Sequence, residues 1–130
     1  MRSMLMILLT GAVLSATPSP EVTGYMQQLQ REAALPFDAK RGETLFTSEH
    51  IGKKGAPISC TSCHALNLTQ PGKNAHTGKV IDPLAPRANP QRLTSVKEVK
   101  KWLRRNFKDV YNREGTAQEK GDVLTYIMNY

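Results

Sequence analysis

Between residues 96 and 110 apolar side chains return every three or four positions: Val96, Val99, Trp102, Leu103, Phe107 and Val110. At about 100° per residue they form one stripe of an α-helix. Lys97, Lys100, Lys101, Arg104, Arg105, Lys108 and Asp109 take the other side, and Asn106 falls near the middle of the apolar stripe. Ser95-x-x-Glu98 and Thr116-x-x-Glu119 are capping-box patterns, predicting helices over about 96–111 and 117–129. Upstream, Val22, Tyr25, Met26 and Leu29 have helical spacing, predicting a helix over 21–35 stopped by Pro36. Asp38 is placed to cap a second helix through Ala39, Gly42, Leu45 and Phe46. Residues 51–59 read as a Gly/Pro/Lys loop, and residues 65–93, rich in Gly, Pro, Asn and Thr, as a long irregular stretch. No strand pair stands out, so the expected class is all-α. A structureless loop of that length is normally functional or wrapped around something that supplies apolar surface.

Met1 and Arg2 precede an apolar run over residues 3–16 that ends in small residues at Ser15 and Ala16. This describes a secretory signal peptide. The alternative is an uncleaved anchor, although the run is shorter than the roughly 20 residues of a spanning helix. The expected organisation is therefore a signal over residues 1–16, an N-terminal extension with a helix over 17–37, beginning with a tether at 17–20, and one domain over 38–130.

The chain carries 18 Lys and Arg against 11 Asp and Glu, a formal charge of +7. A basic surface suits an acidic protein or anionic lipid heads. Nucleic acid fits poorly, because the chain reads as exported and shows no nucleic-acid motif.

The two cysteines stand in Cys60-Thr61-Ser62-Cys63-His64, the C-x-x-C-H pattern of covalent haem c attachment. Each thiol can add to one haem vinyl group, while the adjacent imidazole reaches the iron from the same side. A zinc site would need about four ligands, and with no further Cys only His50 and His76 remain to complete one. A thioredoxin-like pair belongs beside a βαβ pattern, which is not seen. The motif fixes one axial ligand, His64. For the other, Met26 and Met128 read better as core filler, and His50 and His76 as solvated loop residues. Asn106 has two readings: a buried amide bonded to nearby backbone, or an iron ligand through its carbonyl oxygen. The carbonyl of Pro83 or Pro86 is a candidate acceptor for the His64 Nδ1–H.

The Gly42-x-x-Leu45-Phe46 segment, the C-x-x-C-H and Asp122-Val123-Leu124-Thr125-Tyr126-Ile127 resemble the class I cytochromes c, whose first and last helices cross at the small Gly and the aromatics. Over roughly residues 38–128 a closer resemblance rests on Gly78-Lys79, Pro83-Leu84-Ala85-Pro86, Pro90-x-Arg92-Leu93-Thr94, Lys101-Trp102-Leu103-x-Arg105-Asn106 and Gln118-Glu119-Lys120-Gly121-Asp122. This combination is similar to the oxygen-binding cytochromes c of the sphaeroides haem protein type. The resemblance implies a periplasmic monohaem protein in which Asn106 ligates ferric iron and leaves on reduction, opening a site for oxygen or nitric oxide. It also implies Trp102 in the distal pocket, Arg105 toward a haem propionate, and a dihaem cytochrome c and a membrane cytochrome b as redox partners. A departure is the family's disulfide, whose positions correspond here to Phe107 and Gly115. A plain six-coordinate electron carrier, or a small haem enzyme reducing oxygen or a nitrogen compound, are the competing readings.

Overall fold

The computed structural model describes residues 18–130; the expected signal peptide lies outside the described residues. Five helices carry the domain: α1 Pro20–Glu32, α2 Ala39–Thr47, α3 Thr61–His64, α4 Val96–Tyr111 and α5 Ala117–Asn129. Each of the four longer ones starts where a side-chain oxygen satisfies an otherwise orphaned N–H. Ser19, Asp38, Ser95 and Thr116 are those caps. At Thr116 the capping box is complete, with Glu119 bonding back to the cap's N–H.

The core forms where α2 crosses α5, with α1 and α4 packed around them. The crossing is close because Gly42 has no side chain: a Cβ there would run into the Asp122 carbonyl and Tyr126. Phe46 fills the adjoining space, its ring 5.6 Å from that of Tyr126. Val22 and Leu29 of α1, Leu103 of α4, and Leu124 and Ile127 of α5 are buried in one cluster. Residues 18–37 thus share the domain's core.

The structure corrects the expectations in four places. Helix α1 ends at Glu32, not at 35, because Pro36 forces its predecessor into an extended backbone and glutamines hold the connection. Gln30 Nε2 donates to Leu35 O at 2.9 Å, and Leu35 N–H donates to Gln118 Oε1 at 2.8 Å. Residues 18–20 are no free tether: Ser19 caps α1, and its N–H donates to Leu93 O at 3.1 Å. Two minimal antiparallel ladders exist where no strand pair was expected. They are β1 His50–Ile51 with β2 Pro57–Ile58, and β3 Gly72–Lys73 with β4 Val80–Ile81. Two-residue strands are too short to leave a periodic signal.

Finally, the buried stripe of α4 is narrower than the spacing implied. It comprises Val99, Leu103, Phe107 and Val110. Asn106 lies at its margin, half-buried, and Trp102 lies beyond it, 45% exposed. The indole N–H needs an acceptor; Glu98 Oε2 provides it at 3.1 Å on the solvent side. No described helix is long and apolar enough to cross a membrane.

Candidate functional site

The chain enters the C-x-x-C-H segment from β2 through Ser59, whose N–H donates to Ser62 Oγ at 3.0 Å. The next residues close into the single turn α3, with the His64 N–H donating to Cys60 O at 3.1 Å. Positions i, i+3 and i+4 share one face of a helical turn, so Cys60, Cys63 and His64 point the same way. Ala65 ends the turn at φ +64°, a region that L residues seldom occupy. Strand β3 then presses back against the turn at Gly72, where a Cβ would collide with the Cys63 carbonyl. The Ala75 N–H donates to Cys63 Sγ at 3.3 Å. No disulfide joins Cys60 and Cys63.

Burial governs the electrostatics. It pushes the Cys60 thiol up to about 12, with neighbouring Cys63 adding to the effect. Dithiol redox catalysts depend on a depressed thiol pKa, so this environment argues against that use. Burial, and then the positive charge of Arg92, lower the His64 pKa to about 4. The imidazole is therefore neutral, as a metal ligand must be. The Phe46 ring packs 6.0 Å from the imidazole. His64 Nδ1 is buried without a hydrogen-bond partner among the described residues. Two cysteines and one neutral, oriented imidazole on a single turn fit a thioether-linked haem. No group of three or more His, Cys, Asp or Glu able to hold a metal comes together among the described residues, so the zinc alternative has no ligand set there.

The loop after His64 wraps this turn. Leu84 and Ala85 N–H both donate to Leu68 O, at 3.1 and 2.9 Å, and Leu68 and Ala85 are fully buried. The expected carbonyl partner for His64 is not provided by Pro83. That oxygen accepts from Asn89 Nδ2 at 3.2 Å and Arg92 Nε at 3.1 Å. His50 stacks on Tyr111 at 4.2 Å, and exposed His76 donates its backbone N–H to Asn74 Oδ1. Met128 is half-buried on α5. On α4, Arg105 lies over the Trp102 ring at 5.4 Å, both residues being exposed beside Asn106. Arg92 is the site residue that sequence reasoning left without a role. It stood inside a quoted string, but only the fold shows which carbonyls it reaches.

Residues 32–127 match a family described as a domain of unknown function, DUF1924. The chain is 41% identical over 121 residues to the cytochrome c-type protein SHP of Cereibacter sphaeroides, covering 92% of this chain and 90% of that protein. The chain belongs to the SHP-type cytochromes c. It is also 32% identical over 87 residues to cytochrome c'' of Methylophilus methylotrophus, covering 67% of this chain and 60% of that one.

The fold agrees with this membership. The structure of oxidised SHP, described as an oxygen-binding cytochrome c, matches with a TM-score of 0.78 at 38% identity, over 88% of this chain and 100% of that one. Oxidised cytochrome c'' matches with a TM-score of 0.70 at 26% identity, over 82% and 89%. Membership implies c-type haem as the cofactor of this mostly helical domain. Phe107 and Gly115, the pair that corresponds to the expected family disulfide, are in contact. A Cβ on Gly115 would lie 2.9 Å from the Phe107 ring.

Proposed function

We propose that the chain is a periplasmic monohaem cytochrome c that couples electron transfer to gas binding. In this reading Cys60 and Cys63 tether one haem, His64 is its permanent axial ligand, and Asn106 is a second ligand present only in the ferric state. The observation that carries the reading is the α3 turn. Two cysteines not joined to each other and a buried neutral imidazole share one face there, in a chain 41% identical to SHP over 92% of its length. The single C-x-x-C-H motif in the sequence supports a count of one haem. The apolar leader over residues 1–16 and the following domain over 38–130 support export.

When bound, the haem iron would supply reversible one-electron chemistry and a site for an exchangeable ligand. What the protein does around it follows from its own groups. The thioethers keep the cofactor without a large core. The Asn106 amide oxygen is a hard, neutral donor that suits ferric iron better than ferrous. Its position at the margin of the α4 stripe leaves it half-buried. Such a side chain can change rotamer without opening the core. With haem bound, such a movement would open the site to a diatomic gas, and the amide N–H of Asn106 would be a candidate hydrogen-bond donor to it. Trp102 and Arg105 neighbour Asn106 on the solvent side of α4, where the Arg105 guanidinium would be available to a haem propionate. The redox partners expected from the resemblance are a dihaem cytochrome c and a membrane cytochrome b.

The test is the absorption spectrum of Asn106→Ala in both oxidation states, with and without carbon monoxide. The expected ferric form is five-coordinate or water-bound, while the ferrous form behaves as wild type. Asn106→Met or His should give a low-spin haem in both states that refuses carbon monoxide. An Ala variant matching wild type in both states would make Asn106 a structural amide and leave a plain electron carrier.

A further inference from the structure

Four aromatic rings run in series from the C-x-x-C-H turn toward the surface. The His64 imidazole packs 6.0 Å from the Phe46 ring, Phe46 5.6 Å from Tyr126, and Tyr126 5.7 Å from Tyr130, edge to face at 87°. Centroid separations of this size are those of rings in contact. Phe46 is 3% exposed, whereas Tyr126 and Tyr130 are half-buried, so the series begins in the core and ends at solvent. Helix α5 sets its outer half, since positions i and i+4 share one face. The Arg87 guanidinium lies 5.5 Å over the Tyr130 ring and holds it in place. Packing at the α2–α5 crossing explains an aromatic ring at Phe46 and at Tyr126. It does not explain a phenol at both outer positions, where a phenyl ring would fill the same space. Tyr130 Oη donates to Leu66 O only at 3.4 Å, a long bond. Tyr111 differs on both counts: it donates to Leu45 O at 2.6 Å, and its ring neighbours are His50 and Phe107.

We propose that Phe46, Tyr126 and Tyr130 form a relay that carries oxidising equivalents from the centre built on His64 to the surface, protecting the haem when hydrogen peroxide reaches it. The proposal rests on His64 being the haem ligand. The oxidant is a by-product of the gas chemistry proposed above. A ferrous centre can lose its electron to oxygen, and two of the superoxide ions so formed take up two protons to give hydrogen peroxide and oxygen. Each tyrosine then gives one electron inward and its O–H proton to water, leaving a neutral phenoxyl radical. Two such oxidations, with their two protons, reduce one hydrogen peroxide to two waters. Phe46 has no O–H to break and serves only as the bridge between His64 and Tyr126. Electron tunnelling falls steeply across open space, so rings in contact favour this route. A phenol loses its electron readily only where its proton can leave. The half-buried Tyr130, with its long bond, meets that condition, and Tyr111, held tightly by a carbonyl that cannot take a proton, does not. The Arg87 charge does not oppose the step, because phenol and phenoxyl are both neutral.

The experiment treats the mature, haem-loaded ferric protein with hydrogen peroxide in the presence of a nitroso spin trap, as wild type, Tyr126→Phe, Tyr130→Phe and the double variant. Adducts are located by peptide mass spectrometry, radicals are followed by electron paramagnetic resonance, and haem loss by absorbance. Wild type should give a tyrosyl signal and an adduct on Tyr130. Tyr126→Phe keeps the ring and its packing but removes the oxidisable hydroxyl, so the Tyr130 adduct should be largely lost. Tyr130→Phe should move the adduct to Tyr126. The double variant should lose the tyrosyl signal, and its haem should bleach faster than that of wild type. An undiminished Tyr130 adduct in Tyr126→Phe overturns the proposal, since Tyr130 would then be oxidised from solution. So does a wild-type adduct confined to Tyr111 or Trp102, or a double variant whose haem bleaches no faster. If Tyr126→Phe does not mature, Tyr130→Phe decides: an adduct on Tyr126 supports the relay and an adduct only elsewhere overturns it. Covalent haem is checked first by mass spectrometry. A wild type without haem defeats the haem reading and the relay with it, whereas a loaded wild type with no adduct on either tyrosine defeats only the relay.

Discussion

Asp122 shows what a single position can hold together and why sequence alone does not reveal it. It is 1% exposed. Its Oδ1 accepts from the Asp38 N–H at 2.8 Å and from Gln118 Nε2 at 3.2 Å, and its Oδ2 accepts from Arg41 Nε at 2.9 Å. One carboxylate therefore joins the start of α2, the Arg41 side chain and the body of α5. In the sequence it was part of a familiar string, without a partner, because Arg41 lies 81 positions away. Asp122→Ala would strand those donors. Breaking a buried pair costs about 3–5 kcal/mol, but the Arg41 side chain is 43% exposed and can be resolvated. We expect a loss of about 2 kcal/mol, read by urea unfolding followed by circular dichroism. Asp122→Asn should lose less, since its amide oxygen still accepts one of the bonds. Equal stability of the Ala variant and wild type would contradict this account. Gly42 was more legible, because the family resemblance already implied a small residue where the first and last helices cross, and the structure puts the Asp122 carbonyl against it.

At the scale of elements, capping chemistry was the reliable signal and the edge of an apolar stripe the unreliable one. Both capping-box patterns start helices in the structure. Trp102 misled because its apolar ring and its N–H pull in different directions, and Glu98, one turn away, decided the matter. The α4–α5 turn carries a pH-dependent clasp. Glu119 accepts from Arg113 Nη1 and Nη2, each at 2.9 Å, and from the Thr116 N–H at 3.1 Å. Burial works to raise the Glu119 pKa, but the Arg113 and Thr116 bonds outweigh it, and the carboxyl sits below its usual range. A carboxyl with a depressed folded pKa stabilises the fold above its unfolded value, near 4.3, and that stability fades as pH falls through the lower folded value. Glu119→Gln should therefore cost about 1 kcal/mol near neutrality. The gap in melting temperature from wild type should be flat above about pH 5 and close as the pH is lowered through the acid range. A gap that persists undiminished in acid would show the clasp to be uncharged in effect.

For the whole molecule, the sequence showed the order of the four longer helices and the C-x-x-C-H motif, because both are local patterns, but not the helical turn that the motif forms. It did not show that the loop over residues 82–92 is built around Arg92, since those bonds run to backbone carbonyls that carry no residue signature. Charge also acts at this scale. Lys97, Lys101, Arg104 and Lys108 recur at intervals of three and four, forming one ridge of α4. The ridge faces away from the buried stripe and belongs to a chain of formal charge +7. Lys101 is tied to Glu98 at 3.0 Å, whereas Arg104 and Lys108 are exposed and enter no ion pair among the described residues. Steering depends on the summed field and not on contact with the redox centre, so a ridge behind the site can still speed the approach of an acidic redox protein. Arg104→Glu with Lys108→Glu should slow reduction by such a partner about tenfold at low ionic strength, measured by stopped-flow absorbance. The difference should shrink as salt is added, because the Debye length falls to about 8 Å at physiological ionic strength. The reduction potential and the rate with a small neutral reductant should not change. Equal rates at low salt would show the ridge to be only a solvated face, and a slower rate with the neutral reductant as well would place the effect inside the domain instead of on its surface.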